Sequence, residues 1–419
     1  MPLESGSVGA APSSLPTYDA LLHPTKDLPN APLSSAWRDV LERIPTAADV
    51  TPRLKSPCWR RFISPFATAW TCLPYVFLLG VPKCGTTELY YLLCSHPELV
   101  CTSRAKEPGF WRTFDAQQLG VHWSFKLTLD KNHYSFEDYL RWHESRTDLI
   151  IQRRDEAPSL ISIDASVDTW YHFAVDSLNW NRSLYVRHWK PRGEALVPLP
   201  VTMHTALPQA KLLVIFREPV ARLWSSYLFI KGDMLQKGVS GPNFDKLMVK
   251  EVAAYRSCEK LHGDKCAFGL TGSYAKHEPR AWGGVVHPNF PGLNAGLYVV
   301  HYRVWSAAYK NAEGTALLVL RFEDLTSHTT SRREELLDKV AAHLGLRSPL
   351  PRQAALIYAQ PSLRIKNTST KAHATIPMAN ATLRLLEGFY QPYNAALAKE
   401  LKDDRWLWAD AKPVCDPCM

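Results

Sequence analysis

The stretch that most constrains this chain is Tyr75-Val-Phe-Leu-Leu-Gly-Val-Pro-Lys-Cys-Gly-Thr-Thr-Glu-Leu-Tyr-Tyr91. Tyr75 to Leu79 is a short apolar run with the character of a buried strand. The residues from Leu89 to Leu93 open an amphipathic helix. Pro82-Lys83-Cys84-Gly85-Thr86-Thr87 lies between them. A strand, a tight turn holding Gly and Lys, two hydroxyls and a helix start make a cradle for a phosphate or a similar anion. Backbone N–H groups point out of the helix start, and the helix dipole favours negative charge there. A nucleoside-triphosphatase loop places its Lys directly after the second Gly, with a Mg-binding hydroxyl next. Here Gly80 and Gly85 have that separation, but Thr86 occupies the Lys position and the turn's Lys, Lys83, lies between the glycines. The order argues against nucleotide triphosphate hydrolysis.

A second strand–turn–helix follows at Lys211-Leu-Leu-Val-Ile-Phe216 and Arg217-Glu-Pro-Val-Ala-Arg-Leu-Trp-Ser-Ser-Tyr227. Arg217 stands at the carboxyl end of a strand, where open α/β sheets bind ligands. Ser225 lies two turns into the next helix. A guanidinium fork and a hydroxyl suit a terminal phosphate. Arg222 is assigned a structural ion-pairing role.

Strand candidates at Leu160–Asp164 and Ala316–Phe322 complete an alternation of strands with helices. Helices are expected at Val201–Ala206, Pro219–Ile230, Leu297–Tyr309, Arg332–Leu344 and Leu383–Leu401, the last kinked or broken at Pro392. The pattern predicts an α/β, P-loop-like three-layer fold: a central parallel sheet with helices on both faces.

Together the two motifs resemble those of sulfotransferases that use 3'-phosphoadenylyl sulfate (PAPS). The first matches the P-K-x-G-T-T loop that holds the 5'-phosphosulfate. The second matches R-[DE]-P-x-x-R-x-x-S-x-[YF], which holds the 3'-phosphate, at Arg217, Glu218, Pro219, Arg222, Ser225 and Tyr227. Lys83 and Arg217 lie 134 positions apart, in the family's order. The resemblance runs from Tyr75 to Trp408 and is greatest to glycosaminoglycan enzymes of the N-acetylgalactosamine 4-sulfate 6-O- and heparan 3-O-sulfotransferase type. Lys106-Glu-Pro-Gly-Phe-Trp111, Asn294–Tyr298, Val319–Leu325, Ile376–Met378, Leu386–Asn394 and Asp404–Trp408 carry it further. The chain departs from the heparan enzymes at Asp164-Ala-Ser-Val167, where they place a Lys. It departs again at Ser369-Thr-Lys-Ala-His373, where Lys371 stands in a loop that otherwise reads Lys-Gly-Arg.

The resemblance implies catalytic roles for Lys83 and for Glu107 as the base, with His122 and Asp164 in reserve. It places Lys83, Cys84, Gly85, Thr86, Thr87, Arg217, Ser225 and Lys371 on PAPS, the co-substrate, with no metal required. The expected reaction is sulfuryl transfer to a hydroxyl of a carbohydrate, such as chondroitin or dermatan sulfate, in the Golgi lumen or secretory pathway. The net charge of +9 suits a polyanion, here an acidic polysaccharide rather than nucleic acid. Two rival classes stand beside it: a P-loop kinase or NTPase, and a non-catalytic polyanion-binding protein with the same fold.

Residues 1–70, rich in Pro, Ser and Ala, are expected to form a loosely packed arm. The sulfotransferase-like domain is expected over 71–410, with a Gly- and Pro-rich insertion at 232–295 and a tail at 411–419. The first 20 residues have no signal-peptide pattern. Residues 62–82 are uncharged, but Pro65, Pro74 and three hydroxyl residues argue against a membrane span, so no anchor is evident. Sequons occur at Asn181, Asn367 and Asn380. Of nine cysteines, Cys258 and Cys266 are spaced for a disulfide, whereas Cys84, Cys94 and Cys101 are expected as buried thiols. Cys415 and Cys418 form a lone C-x-x-C, too little for a zinc site.

Overall fold

The computed structural model describes residues 14–15, 31–45, 51, 53–101, 106–111, 135–171, 197–236, 243–268, 292–311, 314–327, 329–350 and 378–410. Five strands form one parallel sheet: β1 (Val76–Gly80), β2 (Leu99–Val100), β3 (Ile161–Asp164), β4 (Lys211–Phe216) and β5 (Leu317–Arg321). Their spatial order is β5-β4-β1-β3-β2. All five residues of β1 and all four of β3 are buried. That explains the unbroken apolar runs in the sequence, since a parallel sheet covered on both faces has no solvent side to alternate toward.

The order of visits positions the site. From β1 the chain goes outward to β2 and returns to β3 at β1's side. It then jumps to β4 on β1's other side. The reversal therefore falls at β1, and the crevice outside the carboxyl ends of β1 and β4 is where such a sheet takes a ligand. The register pairs Val76 with Lys211 and Gly80 with Val214, so the two strands end within two residues of each other.

Helices α1 (Thr86–Cys94), α2 (Leu199–Ala206), α3 (Pro219–Gln236), α4 (Tyr298–Ala308) and α5 (Thr330–Leu344) lie where the strand–helix alternation expects them, within a few residues. The long C-terminal helix Asn380–Leu401 runs through Pro392 without a break. Buried Leu386, Phe389, Tyr390 and Leu397 on either side of the proline hold it as one element, so tertiary packing overrides the local cost.

Three expectations are corrected. The arm is not loose throughout. Helix Ser35–Glu42, capped by Ser34, buries Trp37, Val40 and Leu41 in the main core, and Trp37 stacks on Trp111 at 5.8 Å. The insertion contains a 19-residue helix, Phe244–His262, whose Tyr255 meets Phe389 edge-on at 5.3 Å. Amphipathic spacing, hidden among polar residues, gave it a core face. Finally, Cys94 and Cys101 are not thiols but a disulfide, as are Cys58 and Cys72, beside the expected Cys258–Cys266 pair. Cys84 is the buried free thiol. The uncharged run at 62–82 resolves into the antiparallel hairpin Cys58–Ser64 with Ala67–Cys72, followed by β1. No helix among the described residues is long and apolar enough to cross a membrane.

Because Trp37 is fully integrated, Trp37→Ala should cost about 3–5 kcal/mol of unfolding free energy. A urea titration of the full chain checks this; a loss below about 1 kcal/mol would mean that the segment merely rests on the domain.

Candidate functional site

The first motif forms the turn between β1 and α1. Gly85 caps the helix in the left-handed region at φ 80°, and a Cβ there would also come within 2.8 Å of the Phe322 ring. Both facts demand glycine. Lys83 is itself left-handed at φ 71°, an uncommon conformation for a side-chain-bearing residue. The first turn of α1 leaves N–H groups without intrahelical partners, aimed out of the helix start. Thr86 is buried and Thr87 half-buried. Cys84 turns inward, its Sγ 3.8 Å from the Tyr298 hydroxyl. Burial pushes its pKa up to about 12, so it fills space rather than reacting.

The second motif follows β4 and meets the first directly. Arg217 Nη1 donates to the Lys83 carbonyl at 3.3 Å, and its guanidinium lies over the Phe322 ring at 4.7 Å. Phe322, just past β5, therefore supports both the glycine turn and the arginine. Tyr298 donates to the Arg217 carbonyl at 2.9 Å. The Glu218 carboxylate caps α3 by accepting from Val220 and Ala221 N–H. Burial, with the nearby Glu323 charge, raises its pKa to about 7. Arg222 is buried; it donates to the Gly292 carbonyl at 2.7 Å and bonds Tyr390, which fits a structural role.

The Lys83 ammonium sits 4.1 Å from the centroid of the Phe229 ring. Phe229 is one helical turn beyond Ser225 and shares its face of α3, which brings that face to the mouth. Desolvation, then the neighbouring Arg217 charge, lowers the Lys83 pKa to about 8.

A third element reaches the same edge of the sheet from β3. Residues 106–111 are stitched to the end of that strand: Ala165 N–H donates to the Lys106 carbonyl and Gly109 N–H to Ser166 Oγ at 2.8 Å. Ser166 Oγ donates in turn to Asp164 Oδ1 at 2.6 Å, while the Tyr139 hydroxyl donates to Asp164 Oδ2 at 2.8 Å. Trp111 Nε1 closes the circuit on the Tyr139 oxygen at 3.1 Å. Glu107 is carried on this segment in an ion pair with Lys106. Desolvation raises its pKa, Lys106 pulls it back, and Asp168 and Asp164 push it up again. Asp164 is buried with both oxygens accepting, which fits an anchor for the Glu107 segment better than a proton acceptor.

The structure thus brings the Lys83–Thr87 turn and Arg217 to one mouth, with Cys84 turned inward, Ser225 on the helix face that carries Phe229, and the Glu107 segment joined to the end of the neighbouring β3. His122 and Lys371 lie outside the described residues. Sequence reasoning missed Phe229 and Phe322 as site residues. The first could have been found from its spacing to Ser225, the second from its place directly after a strong strand.

Residues 74–268 match the model of the sulfotransferase family. That span contains both anion motifs and the Glu107 segment. Over that span, a little under half of its length, the chain is similar to the sulfotransferase family. Within it, similar curated proteins include carbohydrate sulfotransferase 15 from Rattus norvegicus, 27% identical over 346 residues, and from Homo sapiens, 26% identical. Each alignment covers 80% of this chain and 55% of the relative, so the chain spans about half the length of the curated sulfotransferases that it matches. A solved sulfotransferase from Alicyclobacillus acidocaldarius overlaps loosely, at 17% identity and TM-score 0.41, covering 80% of this chain and 98% of that one.

The state of Lys83 is open to measurement. Competitive acetylation read by mass spectrometry should titrate Lys83 with a midpoint near pH 8, well below the ordinary lysine value of about 10.4. A midpoint near the ordinary value would show that the ammonium is not held in the mouth.

Proposed function

We propose that this chain is a carbohydrate sulfotransferase, which moves a sulfuryl group from PAPS to a sugar hydroxyl. The observation that carries it is the Arg217–Lys83 contact, which makes two anion pockets halves of one mouth. A nucleotide with phosphate at one end and phosphosulfate at the other fits such a pair. Arg217 and Ser225 would take the 3'-phosphate; the turn from Lys83 to Thr87 would take the phosphosulfate.

In the transfer, the acceptor oxygen forms a bond to sulfur as the bridging bond from sulfur to the phosphate oxygen breaks. The electron pair of that bond leaves on the phosphate. Lys83, the α1 N–H groups and the Thr87 hydroxyl face the developing charge. The acceptor proton goes to Glu107, whose pKa is raised by desolvation, which strengthens it as a base. The acceptor is proposed to be an acidic glycosaminoglycan, consistent with the chain's net charge of +9. The three disulfides among the described residues support an oxidising compartment such as the Golgi lumen.

Binding and turnover test this directly. Adenosine 3',5'-bisphosphate should raise the thermal midpoint, and Lys83→Ala or Arg217→Ala should abolish the shift. No stabilisation by that nucleotide would end the sulfate-donor assignment. Glu107→Gln should keep nucleotide binding but lower turnover about 10²–10⁴-fold.

The pH profile of turnover follows from the same two groups. Glu107 acts deprotonated, so activity should rise through a pKa above the ordinary glutamate range. Lys83 acts protonated, so kcat/KM for PAPS, which reports the free enzyme, should fall above about pH 8. A kcat/KM profile flat between pH 7 and 10 would contradict the Lys83 role.

A further inference from the structure

The hairpin Cys58–Ser64 and Ala67–Cys72 ends in an apolar tip. Phe62 is 76% exposed, Ile63 56% and Phe66 99%. Other large apolar side chains that are exposed, such as Leu149 and Val249, occur singly. Single exposed apolar residues are ordinary, whereas a contiguous apolar tip marks an interaction site.

The polarity of the hairpin is graded along its length. Behind the apolar tip, Arg60 and Trp70 are direct cross-strand partners, with the guanidinium 5.2 Å from the indole centroid. Arg60 is exposed. Between that pair and the tip, Arg61 is drawn inward to Thr71 and to Glu137. The base is locked by the Cys58–Cys72 disulfide and tied to the domain by Cys72 N–H donating to Thr147 Oγ1 at 3.1 Å. An apolar apex, backed by an indole and an exposed guanidinium side by side, matches a lipid surface in which acyl chains are followed by the interface with its phosphates. A polyanionic saccharide would need its cations at the apex, where this hairpin has none.

We propose that the tip of this hairpin inserts into a phospholipid surface, with Phe62, Ile63 and Phe66 among the upper acyl chains and Arg60 on the phosphates. The inference stands apart from the sulfotransfer reaction. Its geometry has a directional consequence. The hairpin base leads through Leu73 and Pro74 into the amino end of β1, whereas the Lys83 turn leaves the carboxyl end. A docked tip would therefore hold the mouth at the end of the sheet away from the hairpin base.

Vesicle co-sedimentation of the full chain tests it, with phosphatidylcholine vesicles alone or mixed with phosphatidylserine. The chain should pellet with mixed vesicles and less with neutral ones. The variant Phe62→Ser/Ile63→Ser/Phe66→Ser should lose at least about tenfold in partitioning. Arg60→Ala should lose mainly the preference for the mixed vesicles. The single change Phe66→Asp, at a fully exposed position, provides the same readout if the triple variant folds poorly. The proposal is overturned if wild-type protein stays in the supernatant with both vesicle types, or if the tip variants pellet like wild type. It is equally overturned if the tip variants only convert a wild-type dimer to monomer, which would make the tip a contact between copies.

Discussion

Everything at the site depends on the parallel pairing of β1 with β4. These strands are far apart in sequence, yet their register ends them within two residues of each other. Lys83 and Arg217 leave the sheet side by side only because of that register. Two cationic groups so close repel, and the fold offsets this in separate ways. Arg217 lies against an aromatic face and binds a backbone carbonyl, while Lys83 is parked over another ring. A dianion entering the mouth would relieve the repulsion and return the Lys83 pKa upward, so ligand binding and proton uptake are linked in this arrangement.

The Glu107 side is built by different physics. Lys106 pairs with Glu107, while a buried carboxylate, Asp164, organises a circuit of neutral donors around itself. Its burial raises its own pKa, and the donors from Ser166 and Tyr139 hold that rise back. The result is a seat for the six-residue segment that carries Glu107, stitched to the end of β3.

Much of this was legible in the sequence. The strands Val76–Gly80 and Lys211–Phe216 announce themselves as unbroken apolar runs because both faces are covered. The Lys83–Thr87 turn was legible because a left-handed glycine and a helix start leave a local signature. Non-local facts were not. Nothing near Trp37 states that it will stack on Trp111, and nothing near Phe322 states that two motifs will share its ring. The Cys94–Cys101 pair was misread because both residues sit beside an apolar helix, where a buried thiol and half a cystine have the same neighbours. Helix Phe244–His262 was hidden by the glycine- and proline-rich residues around it, since averaging over the whole insertion diluted its apolar stripe. Pro392 misled for the opposite reason: a local rule was outweighed by core contacts on both sides.

The three disulfides bridge sequence separations of only 14, 7 and 8 residues. Each staples a hairpin, a helix exit or a helix end to its own neighbourhood, and none ties together two strands of the five-stranded sheet. Closing such short loops removes little chain entropy compared with a long-range cross-link. Oxidation can thus be completed on local segments as the chain emerges, before the sheet exists. The long-range topology is left to the hydrophobic core, which makes the assembly of the mouth insensitive to the order in which its cystines form.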